Sequence, residues 1–261
     1  MIEGFILKIK RGESPFFRFL RKLIKGLASS HLPVPRFLYP IPRLFYHLHF
    51  GVLFSLRWLL NYFYREPLFR SRCVSIGKQF HMWLMPDIAG HPKIYIGDNV
   101  NFFGHVGITS GRVFDNPTLR IHDRVDIGHN VGFLVNKEIV IEEDVNVASG
   151  VCFMDSDAHP KDPVARAQHQ PPPADEIKPV HICRHVWIGQ NTYVMKGVTI
   201  GEGAVIGVNS VVVSDIPPYC VAMGNPARVV FKNLPKAPST GAADAASDPI
   251  PAADPAGVRQ A

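Results

Sequence analysis

The sequence predicts a mainly β fold in which short strands are wound into a solenoid. From Ile182 to Pro218 a large aliphatic residue recurs at every sixth position, in Ile182, Ile188, Val194, Ile200, Ile206 and Val212. Smaller apolar or hydroxyl residues recur two positions before each step, in Val186, Thr192, Val198, Ala204, Ser210 and Ile216. Glycine directly follows the aliphatic residue at positions 189, 201 and 207. Because six is a multiple of the two-residue period of a strand, the aliphatic residues share one face of an extended chain.

Each short segment buries its apolar face only when successive turns stack on one another. If three segments close one triangular turn, a coil uses about eighteen residues, with glycine or asparagine at the tight corners. Inner positions keep this step back to Val74, which predicts about six coils over residues 74–234. The polar, proline-rich excursion 155–180 interrupts the rhythm, and a loop of this length in a compact repeat is typical of a functional segment.

Residues 1–73 form a basic, aromatic head with thirteen Lys or Arg against three Glu, although the whole chain has a net charge of only +6. From Phe16 to Leu27, Arg18, Arg21, Lys22 and Lys25 alternate at helical spacing with apolar residues, which predicts a basic amphipathic helix. Residues 43–65 are long enough to span a bilayer, but Arg57 and two histidines disfavour a span. We expect this segment to lie in a membrane interface; the alternative is a cap on the solenoid.

The charge of the head predicts an anionic membrane surface as a partner, and no nucleic-acid motif accompanies this charge.

The four cysteines are far apart and form no CxxC pair, which is typical of a reducing compartment. Residues 1–20 carry scattered charges and no small-residue cleavage site, so we expect no leader. A cytoplasmic protein, peripheral on the inner face of the cytoplasmic membrane, is predicted. Residues 235–261 are low in large apolar residues and predict a disordered tail.

Several motifs follow one another in a fixed order. His159-Pro160 opens the excursion, and the coils then carry Val186-Trp187-Ile188-Gly189, Asp215-Ile216-Pro217-Pro218 and Gly224-Asn225-Pro226-Ala227-Arg228. On these motifs residues 74–232 resemble the hexapeptide-repeat, left-handed parallel β-helix acyltransferases, nearest to the galactoside and maltose O-acetyltransferases. The resemblance implies left-handed coils, a homotrimer with active sites between subunits, acetyl-CoA or another acyl-CoA as donor, and a sugar hydroxyl as acceptor.

His159 is the candidate general base. An alcohol is a weak nucleophile at neutral pH and needs a base that titrates near that pH, for which histidine is suited. The resemblance places the catalytic histidine at this His-Pro, and Asp157 or Asp155 is a candidate to orient its imidazole. Cys152 is an alternative nucleophile, although its position inside a repeat favours a packing role.

The resemblance also implies where the donor binds. It implicates Trp187, Gly189, Gln190, Gly207 and Val208 along the coils, and Arg228 for a phosphate. Ser214 stands where related proteins often carry lysine, and Lys232 is the candidate to compensate. Cys183-Arg184 replaces the usual Gly-Asp of one turn.

We therefore predict an acyl-CoA-dependent O-acyltransferase, an acetyltransferase in the simplest case, acting on a saccharide or glycoconjugate such as a lipid-linked surface-polysaccharide precursor. Loops 78–93, 110–118 and 155–180 are expected to select the acceptor. One alternative is a metal-dependent solenoid enzyme of the γ-carbonic-anhydrase type, but His181-x3-His185 is the only close histidine pair of the solenoid, with no clear third ligand, so no metal is expected. Another is a non-catalytic scaffold held on a membrane by its head.

Overall fold

The computed structural model of the 261-residue chain describes residues 2–30 and 35–235. The predicted disordered tail therefore lies, from residue 236 onward, outside the described residues. The chain forms two compact units, Met1–Leu56 and Arg57–Ala261.

Helices α1 (Ile2–Arg11), α2 (Pro15–Ser29) and α3 (Pro40–Leu60) make up most of the first unit, with a 3₁₀ turn at Arg36–Leu38. The side chain of Ser14 caps α2 by accepting a hydrogen bond from the N–H of Phe17 at 3.3 Å. No residue of α2 or α3 is buried, and α2 confirms the predicted basic amphipathic helix. Within the described ranges, no helix combines the length and the apolar character that crossing a bilayer requires.

The second unit begins at Arg57, in the last turn of α3, and continues with a π-helical turn, Asn61–Arg65, and the short helix α4 (Glu66–Arg70). Phe69 is fully buried, with its ring centroid 5.6 Å from that of Phe80. The side-chain amide of Asn61 donates to the carbonyl of Met82 at 2.8 Å. These contacts cap the first coil, so this unit begins at Arg57, ahead of the expected boundary at residue 74.

Up to residue 235, twenty short strands and one more helix follow in this unit. In chain order they are β1 (Ser75–Ile76), β2 (His81–Met82), β3 (Asp87–Ala89), β4 (Lys93–Ile96), β5 (Asn101–Phe102), β6 (Val106–Ser110), β7 (Thr118–Ile121), β8 (Asp126–Ile127), β9 (Val131–Val135), β10 (Glu138–Ile141), β11 (Asn146–Val147), β12 (Cys152–Met154), α5 (Pro163–Ala167), β13 (Val180–Ile182), β14 (Trp187–Ile188), β15 (Tyr193–Val194), β16 (Thr199–Ile200), β17 (Val205–Ile206), β18 (Val211–Val212), β19 (Val221–Gly224) and β20 (Ala227–Phe231). A 3₁₀ turn, Ala174–Glu176, lies between α5 and β13.

Three parallel sheets form the faces of a triangular prism. The first is ordered β1-β4-β7-β10-β13-β16, the second β2-β5-β8-β11-β14-β17-β19-β20, and the third β3-β6-β9-β12-β15-β18. From β1 to β18 each strand steps to the next sheet, which makes six coils and confirms the predicted number. The last two strands of the described chain form an antiparallel hairpin, β19–β20.

The inner positions stack in register along the prism. Ile139 pairs with Leu119 on one side and Val180 on the other, and all three side chains are fully buried. At the corners the buried hydroxyls of Thr192 and Ser210 both donate to the carbonyl of Gly207, at 3.2 and 2.7 Å. The corner polar groups are thus satisfied inside the fold.

Replacement of Gly189 with alanine is expected to destabilise the fold. The added Cβ would lie 2.7 Å from both the carbonyl oxygen of Ile206 and the N–H nitrogen of Val208, which are rigid backbone of the next coil. The overpacking should cost about 1–3 kcal/mol. Gly132→Ala is the matched control, because its Cβ would meet only Cys152 Sγ, at 3.5 Å. Denaturant unfolding of both variants checks this, and equal midpoints would contradict it.

Candidate active site

The turn that opens the excursion places His159 at a cavity of about 390 Å³. The polar side chains around this cavity come from three successive coils and the excursion: His91, Ser110, Arg112, Asn136, His159, His169 and Gln170. All three loops expected to select the acceptor, 78–93, 110–118 and 155–180, contribute to its wall. A short hydrogen bond from the Arg112 guanidinium to the carbonyl of His169 joins two of them. We call this cavity the His159 cavity.

Asp155 anchors the start of the turn. Its carboxylate is fully buried and accepts hydrogen bonds from the backbone N–H groups of Asn136, Lys137 and Glu138, at 2.6–2.9 Å. Burial raises the pKa of Asp155 to about 6, while the N–H donors of Lys137, Asn136 and Glu138 oppose this rise. The backbone carbonyl of Asp155 also accepts from the N–H of Lys178, which ties the end of the excursion to its beginning.

The following residues fix the direction of His159. The buried hydroxyl of Ser156 accepts from the N–H of Ala158 at 3.1 Å, and Ala158 takes a left-handed conformation with φ +65°. His159 is exposed at the cavity, whereas the next residue, Pro160, is buried. Throughout residues 2–30 and 35–235, no hydrogen bond or ion pair engages the His159 imidazole. The ring is therefore held at a cavity wall with both nitrogens available to a substrate.

Neither candidate aspartate contacts His159. Asp157 instead forms a close ion pair with Lys196, whose side chain is largely buried. Asp155 is occupied by the three backbone donors. The structure thus gives both carboxylates a role in shaping the turn rather than a contact with the imidazole. Cys152 is half-buried, and desolvation raises the pKa of its thiol, which disfavours the nucleophilic thiolate.

A second cavity, of about 490 Å³, contains most of the predicted donor-binding residues. Trp187, Gly189, Gln190 and Val208 line it, together with Phe103, Gly128, His129, Ala148 and Ser149. The indole of Trp187 is 55% exposed and the side chain of Val208 62% exposed, so both present apolar surface to a ligand. Gly207 does not line this cavity; its backbone instead holds the corner hydroxyls. We call this cavity the Trp187 cavity.

Arg228 lies beyond this cavity on the same sheet, and Lys232 directly follows its last strand. Trp187 pairs with Val205, Val205 pairs with Val221, and Val221 pairs with Phe231 of β20, which also carries Arg228. Three strand spacings separate β14 from β20, which is roughly 14 Å. Both basic side chains are exposed. They form a positive end to the surface that starts at Trp187.

The two cavities lie at different corners of the prism. The His159 cavity is built from residues that follow strands of the third sheet, such as His91 after β3 and Asn136 after β9. The Trp187 cavity is built from residues that follow strands of the second sheet, such as Ala148 after β11 and Gly189 after β14. A single chain therefore does not bring His159 and Trp187 into one cavity.

The histidine pair considered for a metal does not converge. The Nε2 atom of His181 lies 2.7 Å from Glu142 Oε1, whereas His185 Nδ1 lies 3.8 Å from Asp144 Oδ2. The hydrogen bond to Glu142 raises the pKa of His181, and the same bond lowers the pKa of Glu142. His181 therefore belongs to a cluster that the spacing His181-x3-His185 did not predict.

The sequence predicted the loops around the His159 cavity, but it did not single out all of the residues that line it. Arg112 and His169 lie within loops expected to bind the acceptor, but nothing in their local sequence marks them for this position. Asn136 follows β9 in a regular coil and has no motif of its own. The anchoring role of Asp155 depends on donors from the preceding coil, which the repeat register would place nearby.

Comparison with known proteins places these features in context. The family profile described as "Bacterial transferase hexapeptide (six repeats)" matches residues 179–214. The galactoside O-acetyltransferase of Escherichia coli (strain K12) is 30% identical over 168 residues, which are 64% of this chain and 67% of that protein. A Staphylococcus aureus (strain COL) protein that carries an acetyltransferase name, SACOL2570, is 52% identical over 58 residues, or 22% of this chain and 29% of that protein. The chain thus spans less than a third of the length of the staphylococcal relatives that it matches.

Among solved structures, a variant of AntD, an N-acyltransferase from Bacillus cereus in complex with dTDP-4-amino-4,6-dideoxyglucose and coenzyme A, has a TM-score of 0.50. The identity is 18%, and the likeness covers 65% of this chain and 89% of that chain. At this identity the likeness concerns the fold alone. Together with the family profile it confirms the left-handed parallel β-helix.

Proposed function

The chain belongs to the hexapeptide-repeat acyltransferase family, and from that premise we propose that it transfers an acyl group, acetyl in the simplest case, from acyl-CoA to a sugar hydroxyl. The observation that carries the proposal is the placement of His159, an exposed imidazole with no competing partner in the described chain, on the wall of a cavity. The named activity of the galactoside O-acetyltransferase relative supports the acceptor class.

His159 acts as the general base in this reaction. Its neutral imidazole nitrogen takes the proton of the acceptor hydroxyl while the oxygen attacks the thioester carbonyl. A backbone N–H group holds the oxyanion that develops. The C–S bond then breaks, and the imidazolium returns its proton to the departing CoA thiolate. Both substrates are held in line, so no acyl-enzyme forms.

The donor lies along the Trp187 cavity. The exposed indole and Val208 contact the pantetheine arm, and Gly189 and Gln190 offer backbone and amide groups. Arg228 and Lys232, at the far end of the same sheet, face the phosphates. This arrangement suits an elongated ligand with an anionic end.

A homotrimer completes the site. His159 and Trp187 occupy two different corners of one prism, so both lie at one reaction centre only when one corner of a chain faces another corner of its neighbour. A three-fold axis repeats this contact and closes after three copies. Each trimer then holds three active sites, with the base from one subunit and the donor surface from the next.

Mixed trimers are expected to recover activity from two inactive variants. Val208→Trp fills the Trp187 cavity at an exposed position, and His159→Asn removes the base. In an equal mixture, about a quarter of the intersubunit sites combine an intact base with an intact donor surface. Co-expression followed by an activity assay should thus give about a quarter of the wild-type rate. No recovery in confirmed mixed oligomers would contradict a shared site.

The acceptor carries an anionic group. The His159 cavity is lined by Arg112 and three histidines, and no Asp or Glu side chain among the described residues lines it. Phosphate or carboxylate on a saccharide would suit this charge, as in a lipid-linked polysaccharide precursor. The wild-type protein should release free CoA from acetyl-CoA only with an acceptor present, and faster with sugar phosphates than with the parent sugars. Acceptor-independent or absent CoA release across such a panel would contradict the proposed function.

The head docks on an anionic leaflet and brings the enzyme to lipid-linked acceptors. Helix α2 carries Arg18, Arg21, Lys22 and Lys25 and no acidic residue, while Phe16, Phe19 and Leu27 are each more than 60% exposed. Helix α3 also exposes its aromatic and aliphatic side chains along its length. Basic and apolar groups exposed together are typical of helices that lie in the membrane interface.

Binding to vesicles should fall when two of these charges are removed. Arg21→Gln with Lys25→Gln is expected to lower partitioning onto phosphatidylglycerol vesicles about thirtyfold, at about 1 kcal/mol per charge. The matched control is Lys78→Gln with Lys93→Gln, two exposed lysines of the β-helix, which should bind as the wild type does. Cosedimentation of the full chain measures this. Equal binding of both double variants would contradict docking through α2.

A further inference from the structure

The third corner of the prism, between the first and second sheets, carries a cluster of three different metal-binding side chains. One ligand atom each from Glu142, His181 and Cys183 lies within 4.8 Å of the other two. All three residues are half-buried, so the cluster is both accessible and partly shielded from water. From this cluster we propose a binding site for one zinc-class divalent cation.

The register of the coils creates the cluster. Ile141 pairs with Ile182, so the next residues, Glu142 and Cys183, take equivalent corner positions in successive coils. Three other coils have glycine at this position, Gly77, Gly97 and Gly201, and the coil before that of Glu142 has His122. His181 lies two residues before Cys183 on the outward face of β13, and alternation along a strand directs both side chains to the same side. The Cys183-Arg184 turn thus supplies a thiol where three of the other coils have no side chain.

The three ligand atoms determine which class of cation this site would bind. An imidazole nitrogen, a thiolate sulfur and a carboxylate oxygen match zinc, whereas calcium and magnesium prefer oxygen ligands throughout. Tetrahedral zinc needs its ligand atoms roughly 3.4–3.7 Å apart, which follows from bond lengths of about 2.0–2.3 Å. Small side-chain rotations from separations within 4.8 Å reach that geometry. Water would take the fourth position.

The carboxylate of Glu142 is already oriented for this role. The backbone N–H of Arg184 donates to Oε2 at 2.9 Å, which leaves Oε1 directed at His181 Nε2, 2.7 Å away. A hydrogen bond to the non-ligating oxygen is the kind of outer contact that orients carboxylate ligands in metal sites. The cation would bind in place of the hydrogen bond between Oε1 and Nε2.

The site would join the two coils on either side of the excursion. Glu142 lies before residues 155–180 and His181 after them, 39 positions apart in sequence. A cation at this corner therefore links the coil before the excursion to the coil after it, and it stabilises the folded chain because the unfolded chain lacks a preformed site. It lies at a corner separate from both substrate cavities, so acyl transfer does not require it.

Untagged full-length protein, dialysed against zinc and then against metal-free buffer, tests the proposal by elemental analysis. The wild type should retain one more zinc per chain than Cys183→Ser and than His181→Gln. It should also melt at a higher temperature with zinc than without, a difference that both variants lose. Cobalt in place of zinc should give a thiolate-to-cobalt charge-transfer band that depends on Cys183.

Two controls keep the result specific. Cys152→Ser removes another half-buried thiol, and His185→Asn removes the neighbouring histidine outside the cluster; both should retain the wild-type zinc content. Circular dichroism verifies the fold of each variant. Equal zinc in the wild type, Cys183→Ser and His181→Gln would overturn the site, as would a cobalt complex without a thiolate band.

Discussion

Replacing His159 with asparagine is expected to lower kcat/KM for acyl transfer by about 10³-fold, within the range that general bases contribute. Asparagine keeps a polar side chain of similar reach but cannot accept the proton of the acceptor hydroxyl. The ring it replaces is exposed at the cavity, so the substitution removes no packing. Steady-state release of CoA at saturating acetyl-CoA measures the loss.

His185→Asn is the matched control for this experiment. His185 lies at the third corner with φ +60°, a backbone conformation that asparagine accepts, and it lines neither cavity. This variant should keep the wild-type rate. Binding of CoA to His159→Asn, measured by calorimetry, should also stay unchanged, because the residues proposed to bind CoA line the Trp187 cavity and do not include His159. Turnover in His159→Asn near the wild-type rate would remove His159 from the mechanism.

The coils were predictable because their pattern is local and repeated. The positions predicted to face inward, such as Ile94, Val125 and Ile200, are fully buried. The corner residues also follow from the repeat, since Asn191 and Asn209 adopt φ +55° where the chain must turn sharply. The same periodicity places Trp187, Gly189, Gln190 and Val208 along the wall of one cavity. These residues lie on or just after β14 and β17, which are neighbouring strands of one sheet.

Features that depend on contacts between distant segments were not predictable in this way. The packing of Phe69 against Phe80 draws residues 57–73 into the same unit as the β-helix, although their composition resembles that of the head. The ion pair between Asp157 and Lys196 joins residues on opposite sides of the excursion. Glu142 and His181 also meet only because the excursion leaves the coil register intact. No six-residue pattern encodes which charged side chains meet across an irregular loop.

Asp155→Asn should destabilise the β-helix by about 2–4 kcal/mol, because the turn that carries His159 depends on a buried carboxylate. Three backbone N–H groups, from Asn136, Lys137 and Glu138, point at its two oxygens. An amide has the same shape but one acceptor oxygen, and its NH₂ group would face donors. At least one buried N–H would lose its partner, which alone costs about 1–3 kcal/mol.

Asp162→Asn is the matched control, because it makes the same Asp-to-Asn change at an exposed position instead of a buried one. Asp162 is also an aspartate of the excursion that accepts a backbone hydrogen bond, from the N–H of Ala165 at 2.7 Å, but it is an exposed helix cap. Asparagine caps helices about as well as aspartate, so this variant should unfold at the wild-type midpoint. Asp155→Asn should unfold at a lower denaturant concentration. Because the turn that carries His159 is loosened, this variant should also have a lower kcat, with little change in the KM for acetyl-CoA. Equal midpoints for the two variants would show that the carboxylate of Asp155 does not hold the turn.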